Sequence, residues 1–404
     1  MNGRELSHEL PRIAIVGSGF LAATRMRCYH NLRAPGADVV TVCSRDPERA
    51  RAFATEHGIR SSEEDFEAVL ARQDVDAVDL CVPNRLHREY CERAAAKGKH
   101  VVCTKPLTAY VGQDLGEDPD PVAIGQRERR VMAQLAIRDA RAMQSACRHA
   151  GVRLFYGENW VHAPAIQRMH GFLPGAGRIL EMRGYEAHKG SHSRFSMRWA
   201  DAGGGALLRL GAHPIGTMLW LKREEGLRTR GHAIECVSVT ADVAVLTRDL
   251  DERETPLATG WVDVENWGTC ILEFDDGARG IAWASDNQLG GMQSKLEVNT
   301  SSARFECSLS PSDALRAYAP SSTTFGDRYV QEKLDDPVGW MTPIPSEDVS
   351  SGQQGMIDEF VTALREGRDS ATDGALGVDV TRVVYAAYVA ASEGRRVLLS
   401  ELDS

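Results

Sequence analysis

Two residues in the segment GGGALLRLGAHPIG, residues 203–216, could do chemistry within an otherwise apolar stretch. Arg209 and His213 are four positions apart, so a helix would place them on one face. His213 could accept a proton from a hydroxyl group, because an imidazole titrates near neutral pH, or it could be a buried histidine at a helix start. Arg209 cannot act as a base. It could bind an anionic substrate group, lower the pKa of a neighbouring base by charge repulsion, or pair with a carboxylate.

Other candidate side chains follow apolar, strand-like runs. Lys105 stands at the carboxyl end of a predicted parallel strand, where such sheets bind ligands. In GENW, residues 157–160, Glu158 and Asn159 could hydrogen-bond to hydroxyl groups of a ligand. Trp160 could either stack on a ligand ring or belong to the core.

The segment GYEAHKGSHSR, residues 184–194, has an unusual density of cations and imidazoles. They are His188, Lys189, His192 and Arg194. Together with Arg209, this segment would favour an acidic or heavily hydroxylated ligand. We expect no metal site from its two histidines, because the segment has the pattern of a strand followed by a loop and lacks nearby carboxylate ligands.

A glycine-rich loop, VGSGFLA at residues 16–22, has the pattern Gly-x-Gly-x-x-Ala between a predicted strand and a predicted helix. Gly17 would make the tight turn, Gly19 would let the backbone approach a pyrophosphate, and Ala22 would allow close packing of helix on strand. The helix N-terminus adds backbone donors and a favourable field for phosphates. The loop therefore predicts a dinucleotide site. The residues expected to contact the cofactor there are Gly17, Ser18, Gly19, Phe20 and Leu21.

The end of the second predicted strand distinguishes between the two nicotinamide nucleotides. An acidic residue there would bind the ribose 2′-hydroxyl of NAD, but the sequence has Ser44 and Arg45 after Cys43. A hydroxyl and a guanidinium suit a 2′-phosphate, so NADP(H) is favoured over NAD(H). Two alternatives stay open: Arg45 could be a solvated residue that stacks on adenine, and Asp46 could serve the ribose of NAD.

The elements that must position these residues alternate between apolar runs and helical segments in the N-terminal part of the chain. Strands are predicted over residues 12–16, 37–44, 75–83 and 100–107. The alternation predicts an α/β domain, a Rossmann-like doubly wound parallel sheet, over residues 1–155. Residues 108–126 are rich in Gly, Pro and Asp, and we expect a solvated insertion there before a helix over 127–150.

From residue 156 to 404, apolar and polar residues alternate instead. Strands are predicted in ILEMRGYEAH, IECVSVTADVAVLT, TGWVDVENW, GTCILEFDDGARGIAWAS and SKLEVNT. DDG at residues 275–277 predicts a hairpin turn, and helices are predicted near 164–172, 351–366 and 375–394. We therefore expect an α+β domain built on a large, open, mostly antiparallel sheet, which binds substrate and carries an oligomer interface.

The overall composition narrows the range of partners. The net charge of −10 leaves no surplus of basic side chains to meet phosphates, so a nucleic-acid partner is not expected. The polar N-terminus lacks the pattern of a signal peptide, and no apolar run is expected to span a bilayer, so we expect no membrane partner and a cytoplasmic location. Nine cysteines without a Cys-x-x-Cys pair argue against disulfides and a zinc knuckle.

Four segments, in this order, resemble the Gfo/Idh/MocA family of oxidoreductases over nearly the whole chain. They are GSGFLA (17–22), CVPNRLHREY (81–90), GKHVVCTKPLT (98–108) and GGGALLRLGAHPIG. They are similar to the family's glycine loop, its Thr-Pro-Asn-x-x-His segment, its strand ending in Glu-Lys-Pro and its Gly-Gly-Gly-x-x-x-Asp-x-Gly-x-His-x-x-Asp segment. The sequence departs at three positions: Thr104 replaces the usual Glu, Arg209 the usual Asp, and Gly216 a second common Asp.

The resemblance implies a nicotinamide-dependent oxidoreductase that acts on a CH–OH group of a sugar, sugar acid or cyclitol. It implies that His213 accepts or donates the proton and that Lys105 orients the hydroxyl group. The further cofactor contacts it implies are Val82, Pro83, Asn84, His87, Thr104 and Lys105. The substrate contacts we expect are Lys105, Glu158, Trp160, His188, Lys189, Arg209 and His213.

Two other functions stay open. Some proteins resembling this family cleave glycosidic bonds by transient oxidation at the sugar C3, with a tightly held cofactor, and the departure at Arg209 is compatible with that chemistry. A non-catalytic nucleotide-dependent sensor is a third alternative, against which the retained Lys105 and His213 argue. Because the family's open sheet commonly packs against a second subunit, we expect a homodimer or homotetramer.

Overall fold

Strands and helices alternate through the N-terminal part of the computed structural model. The structure describes residues 10–32, 36–116, 118–191, 193–311, 315–325, 338–344 and 346–403 of the 404-residue chain. The first six strands are β1 Arg12–Val16, β2 Asp38–Cys43, β3 Ser61–Glu63, β4 Ala77–Leu80, β5 His100–Thr104 and β6 Leu154–Gly157. The helices among them are α1 Phe20–His30, α2 Pro47–His57, α3 Phe66–Ala71, α4 His87–Ala96, α5 Pro121–Gly125 and α6 Arg129–Ala150.

These six strands form one parallel sheet in the order β3-β2-β1-β4-β5-β6. The strands are almost entirely apolar and buried, as a sheet covered on both faces requires. The doubly wound parallel sheet predicted from the sequence is therefore confirmed. The strand order reverses between β1 and β4, and in such sheets ligands bind beyond the carboxyl ends of the strands at this reversal.

The segment between β5 and α6 is only partly the solvated insertion that its composition suggested. Its first residues are buried: the Thr108 hydroxyl donates to the Ala136 carbonyl at 2.8 Å, and the Tyr110 N–H donates to the Tyr385 hydroxyl at 2.6 Å. The expectation is wrong for these residues, because they satisfy their backbone and hydroxyl groups inside the core. Much of the remainder, to Gln126, is exposed and includes the short helix α5.

A second sheet of seven strands follows, in the order β12-β11-β7-β10-β9-β8-β15. Its strands are β7 Ile179–Ala187, β8 Cys236–Ala244, β9 Trp267–Phe274, β10 Arg279–Ser285, β11 Gln293–Thr300, β12 Arg304–Ser308 and, after the two-stranded β13 Ala317–Ala319 and β14 Gly339–Met341, β15 Val397–Leu398. Only β7 and β10 pair in parallel, so the predicted mostly antiparallel sheet is confirmed. The hairpin turn expected at residues 275–277 joins β9 to β10.

One predicted strand of this sheet is wrong. TGWVDVENW, residues 259–267, alternates like a strand, yet β9 begins only at Trp267. The segment packs against residues 197–199 instead: the Val262 N–H donates to the Met197 carbonyl, and the Asp263 carboxylate accepts from the Trp199 N–H at 2.7 Å. The first of these contacts uses a backbone N–H that strand pairing would need.

The helices of the second part divide between the two sheets: some pack on the seven-stranded sheet, whereas the helix Gln353–Glu366 packs against α1 and the parallel sheet. They are α7 Pro164–Phe172, α8 Trp199–Ala202, α9 Ala206–Arg209, α10 Ala212–Arg230, α11 Glu347–Ser350, α12 Gln353–Glu366 and α13 Gly374–Glu393. Two strand glycines let α10 approach the sheet: a β-carbon at Gly184 would lie 2.8 Å from Pro214 Cβ, and one at Gly280 would lie 2.9 Å from Met218 Sδ. This close packing places the start of α10 above β7 and β10.

Helix α13 is long and apolar enough to cross a membrane by length and composition, which corrects the expectation that no such run exists. Most of the helix is buried inside the protein, where it packs against α6, α10 and β8. Core helices of globular domains pass the same test, because their surroundings are equally apolar. Among the residues that the structure describes, it is the one such helix.

Candidate active site

The glycine loop between β1 and α1 leaves open space at the reversal of the parallel sheet. Gly17 has φ +116°, and a β-carbon there would lie 2.2 Å from the Cys81 carbonyl oxygen, so only glycine fits. A β-carbon at Gly19 would meet nothing within 4 Å. Helix α1 begins at Phe20 without a side-chain cap, which leaves its first N–H groups available. This cradle fits the pyrophosphate of a nicotinamide dinucleotide.

The side chains at the end of β2 lie beside this loop. The Ser44 and Ser18 hydroxyl oxygens are 3.1 Å apart, which connects the strand end with the glycine loop. Arg45 is exposed. Asp46, the alternative ribose ligand, accepts hydrogen bonds from the Glu48 and Arg49 N–H groups through Oδ1 and thereby caps α2.

The 82–87 segment, matched to the family's second motif, holds the neighbouring backbone. The Asn84 side-chain amide donates to the Ala202 carbonyl at 2.8 Å, and Val82 and Pro83 precede Asn84 in the segment after β4. His87 is completely buried: its Nδ1 lies 3.1 Å from the Pro106 carbonyl and its Nε2 lies 3.0 Å from the Val82 carbonyl. His87 therefore supports the turn after Lys105 from within the core.

Lys105 connects the end of the parallel sheet with helix α9. It follows Thr104, the buried last residue of β5, and precedes a cis-proline. Its Nζ donates to the Arg209 carbonyl oxygen, which brings the end of the parallel sheet against the end of α9. The structure thus brings Lys105 and the 203–216 segment together, as the sequence analysis expected of a shared site.

Arg209 and His213 do not share a helix face, which corrects the expectation from their spacing. Helix α9 ends at Arg209 and α10 begins at Ala212, so a break separates the two residues. The break follows from Pro214 in the first turn of α10, because a proline cannot continue the preceding helix and suits a helix start. The two side chains consequently face different partners.

His213 is buried between two glutamates. Its Nδ1 lies 2.8 Å from Glu158 Oε1 and 3.1 Å from Glu158 Oε2, whereas its Nε2 lies 3.9 Å from Glu186 Oε1. The ring stacks on Trp160, with centroids 5.8 Å apart and planes inclined by 10°. Glu158 and Trp160 are both buried, so Trp160 belongs to the core beneath the imidazole, one of the two alternatives that its sequence context left open.

Burial has the largest effect on the pKa values of His213 and Glu158. It lowers the pKa of His213 to about 4, with the Lys105 ammonium acting in the same direction and Glu186 in the opposite one. Burial also raises the pKa of the Glu158 carboxyl, while the Trp160 N–H and Lys105 oppose that rise. His213 is therefore neutral near neutral pH, the protonation state that a general base requires.

Arg209 pairs with Asp286, which follows β10. Asp286 is fully buried, and its Oδ1 lies 3.5 Å from His188 Nδ1. The Arg209 guanidinium also lies over the Trp261 ring, 5.3 Å from the centroid. Of the three roles open to Arg209, the structure shows carboxylate pairing.

The rest of the 184–194 segment is only partly positioned. Lys189 follows His188 at the end of β7, is half-buried, and its carbonyl oxygen accepts from the Ala258 N–H at 2.9 Å. His192 and the Arg194 side chain lie outside the described residues.

Sequence reasoning missed Glu186 and Asp286 as members of the cluster. Glu186 lies within a predicted strand and shares the inward-facing parity of Met182 and Gly184 on β7. An inward-facing carboxylate on a strand is a signal, because buried carboxylates need partners. Asp286 lies directly after the buried end of β10, the same kind of position that identified Lys105.

Both parts of the chain match models of known protein domains. Residues 11–115 match the model of the Gfo/Idh/MocA oxidoreductase family with an NAD-binding Rossmann fold, and residues 175–306 match the Gfo/Idh/MocA C-terminal domain. D-apiose dehydrogenase of Paraburkholderia graminis is 23% identical over 97% of this chain and 90% of its own length. Levoglucosan dehydrogenase of Pseudarthrobacter phenanthrenivorans is 25% identical, over 92% and 93% respectively.

A solved structure has a similar fold over almost the whole chain. GenD2 from gentamicin A biosynthesis, in complex with NAD, superposes with a TM-score of 0.76 and 26% identity, covering 96% of both chains. Together, the two matched domains span more than half of the chain, in the order that the sheets occupy. The chain belongs to the Gfo/Idh/MocA family of oxidoreductases.

Proposed function

We propose that this oxidoreductase transfers a hydride between a CH–OH group of a sugar or cyclitol and a nicotinamide nucleotide. The observation that carries the proposal is the meeting of Lys105 with the 203–216 segment, beside a buried and neutral His213. The relatives support it, since they include dehydrogenases named for D-apiose and levoglucosan. No relative named above is a glycoside-cleaving enzyme.

In this proposal, the chain's own residues handle the hydroxyl proton. Lys105 would donate a hydrogen bond to the substrate hydroxyl oxygen and hold it against His213. His213 Nε2 has no hydrogen-bond partner among the described residues and would accept the proton. The nicotinamide ring, when bound, accepts the hydride. Gly17, Gly19 and the start of α1 would hold the cofactor's pyrophosphate.

We propose a neutral polyhydroxylated substrate rather than a sugar acid. Asp286 balances the positive charge of Arg209, so little net charge is left there to attract a carboxylate. NADP(H) is the cofactor we favour, because Ser44 and Arg45 suit a 2′-phosphate and the Asp46 carboxylate is already engaged in capping α2. NAD(H) remains the alternative, and the similar structure of GenD2 is a complex with NAD.

The second sheet suggests a homodimer or homotetramer. Its outer face, opposite α10, carries Tyr185, Ile271, Ile281 and Trp283, with the Tyr185 and Trp283 rings 5.2 Å apart. A second copy of the chain would cover this apolar face. We also propose a cytoplasmic location without nucleic-acid or membrane partners, supported by the net charge of −10 and the burial of α13.

Reduction of NADP and NAD in the presence of a panel of sugars, sugar acids and cyclitols tests the proposal directly. With the best substrate, Lys105→Met and His213→Asn should each lower kcat by about 100-fold or more. Lys99→Met is the matched control: Lys99 lies just before the same strand and donates to the Arg72 and Val75 carbonyls, far from the site. Turnover retained in the Lys105 or His213 variant, or no reduction with any alcohol, would refute the proposal.

A further inference from the structure

We propose that Glu158 is a positioning residue that fixes the tautomer of His213. Glu158 accepts the Nδ1–H of the imidazole and so leaves the lone pair on Nε2, the nitrogen on the side of Glu186. The catalytic consequence rests on the proposed function, because a base at Nε2 matters only if His213 takes the hydroxyl proton. The sequence analysis expected Glu158 to bind substrate, a role that its complete burial leaves to other residues.

The hydrogen bonds around the carboxylate select this arrangement. Glu158 Oε1 accepts the Trp160 backbone N–H at 3.0 Å, and it is also the oxygen nearer to His213 Nδ1. A backbone N–H can only donate, so Oε1 is an acceptor. If Glu158 carried the shared proton instead, the proton would have to sit on Oε2, the oxygen with the longer contact of 3.1 Å. A carboxylate that receives two N–H groups at its nearer oxygen satisfies both contacts.

The ring is also held against rotation. Trp160 stacks on the His213 imidazole, and its indole N–H donates to Glu186 Oε2 at 3.1 Å. Glu186 in turn accepts from the Ser294 hydroxyl at 3.3 Å. These contacts keep the imidazole plane parallel to the indole, and a 180° flip of the ring would put Cδ2 in the place of Nδ1 and break the Glu158 hydrogen bonds.

The departure at Gly216 makes room for Glu158. A β-carbon at position 216 would lie 3.1 Å from Glu158 Cγ, closer than side chains ordinarily approach, and 3.4 Å from Glu158 Oε2, at ordinary contact distance. The position where the family commonly has an aspartate is therefore filled by a carboxylate from the end of β6. The glycine at position 216 and the carboxylate of Glu158 therefore depend on each other, because a side chain at 216 would crowd Glu158.

Glu158→Met is the variant that separates positioning from packing, because methionine has nearly the size of glutamate but no oxygen to accept the Nδ1–H. Without that acceptor, the imidazole proton would move to Nε2, the nitrogen that otherwise holds the lone pair. We expect kcat to fall by about 100- to 10,000-fold with little change in KM, as for other enzymes in which a histidine is held in the wrong tautomer. Glu158→Gln is the control for the tautomer, since an amide oxygen at the position of Oε1 can still accept both the Trp160 N–H and the Nδ1–H.

The tautomer can be read without any substrate. ¹⁵N chemical shifts of histidine-labelled protein, with His213 assigned by its loss in His213→Asn, report which ring nitrogen bears the proton. We expect Nδ1–H in the unaltered chain and in Glu158→Gln, and Nε2–H in Glu158→Met. Nε2–H in the unaltered chain, or an unchanged kcat in Glu158→Met, would overturn the inference. The expected tautomers without turnover on any alcohol would overturn the proposed function instead and leave the tautomer assignment standing.

Discussion

Asp286→Asn should destabilise the protein, because it leaves the Arg209 guanidinium without its charge partner in a buried site. Removing one partner of a buried ion pair typically costs about 3–5 kcal/mol. Here the Arg209 side chain keeps 14% of its exposed surface and lies over the Trp261 ring, so water and the aromatic face offset part of the loss. We therefore expect the free energy of unfolding to fall by about 2–3 kcal/mol.

A double-mutant cycle isolates the pair from other effects. Arg209→Met should cost a similar amount, because it removes the guanidinium that pairs with Asp286, whose side chain is 0% exposed. Arg209→Met with Asp286→Asn removes both charges and should lie within about 2 kcal/mol of the unaltered chain. The coupling free energy from urea unfolding should then be about 3 kcal/mol. Single costs that simply add, within about 0.5 kcal/mol, would refute the buried pairing.

The same variant tests whether the pair controls substrate charge. In Asp286→Asn, the uncompensated guanidinium should attract a carboxylate, so KM for a sugar acid should fall relative to KM for its neutral counterpart. Arg209→Met should not show this gain, which makes it the matched control. A strong preference of the unaltered enzyme for sugar acids, unchanged by Asp286→Asn, would contradict the proposal of a neutral substrate.

Three further predictions concern the cofactor, acid stability and assembly. Arg45→Ala should lower the NADP-over-NAD ratio of kcat/KM by about 10-fold or more, since a charge-assisted contact to the 2′-phosphate is lost; an unchanged ratio would contradict the cofactor preference. Burial lowers the pKa of His162 to about 3, so the unfolded chain takes up a proton that the folded chain refuses, and stability should fall as pH drops from about 6.5 towards 3. His162→Gln should flatten the plot of unfolding free energy against pH between 6.5 and 4.5 by up to about 1.4 kcal/mol per pH unit, and an identical slope would contradict this. Trp283→Lys should shift the protein towards monomers in analytical ultracentrifugation, whereas an unchanged mass would show that the outer sheet face is not the interface.

Local patterns made the parallel sheet, the glycine loop and most element boundaries predictable from the sequence. The glycine loop is one example, because the turn at Gly17 and the start of α1 depend on adjacent residues. Gly211 and Pro214 also signal the break before α10 locally, although the four-residue spacing of Arg209 and His213 predicts a shared helix face. The segment 259–267 failed because its strand-like alternation is overridden by tertiary contacts with residues 197–199.

The partners of the site residues could not be predicted in this way. Glu158 and His213 are 55 positions apart, and Arg209 and Asp286 are 77 apart, so no local pattern connects them. Only the close packing of α10 on the second sheet and the contact of Lys105 with Arg209 bring these strand ends together. What the sequence did show was a set of departures from the family motif, and two of them, Arg209 and Gly216, mark places where a distant carboxylate enters.

Those substitutions share a common cause in the way the carboxylates reach the site. The family motif places acids on the helical segment itself, whereas this chain places an arginine at 209 and a glycine at 216 and brings its acids from strand ends. Glu158 comes from the end of β6 and contacts His213 Nδ1. Asp286 comes from the end of β10 and neutralises Arg209. Because each acid requires the altered residue that it contacts, restoring an aspartate at 209 or 216 alone would place two carboxylates in one buried space and raise their pKa values. The departures from the motif therefore act as a set, and a single reversion should impair the site rather than improve it.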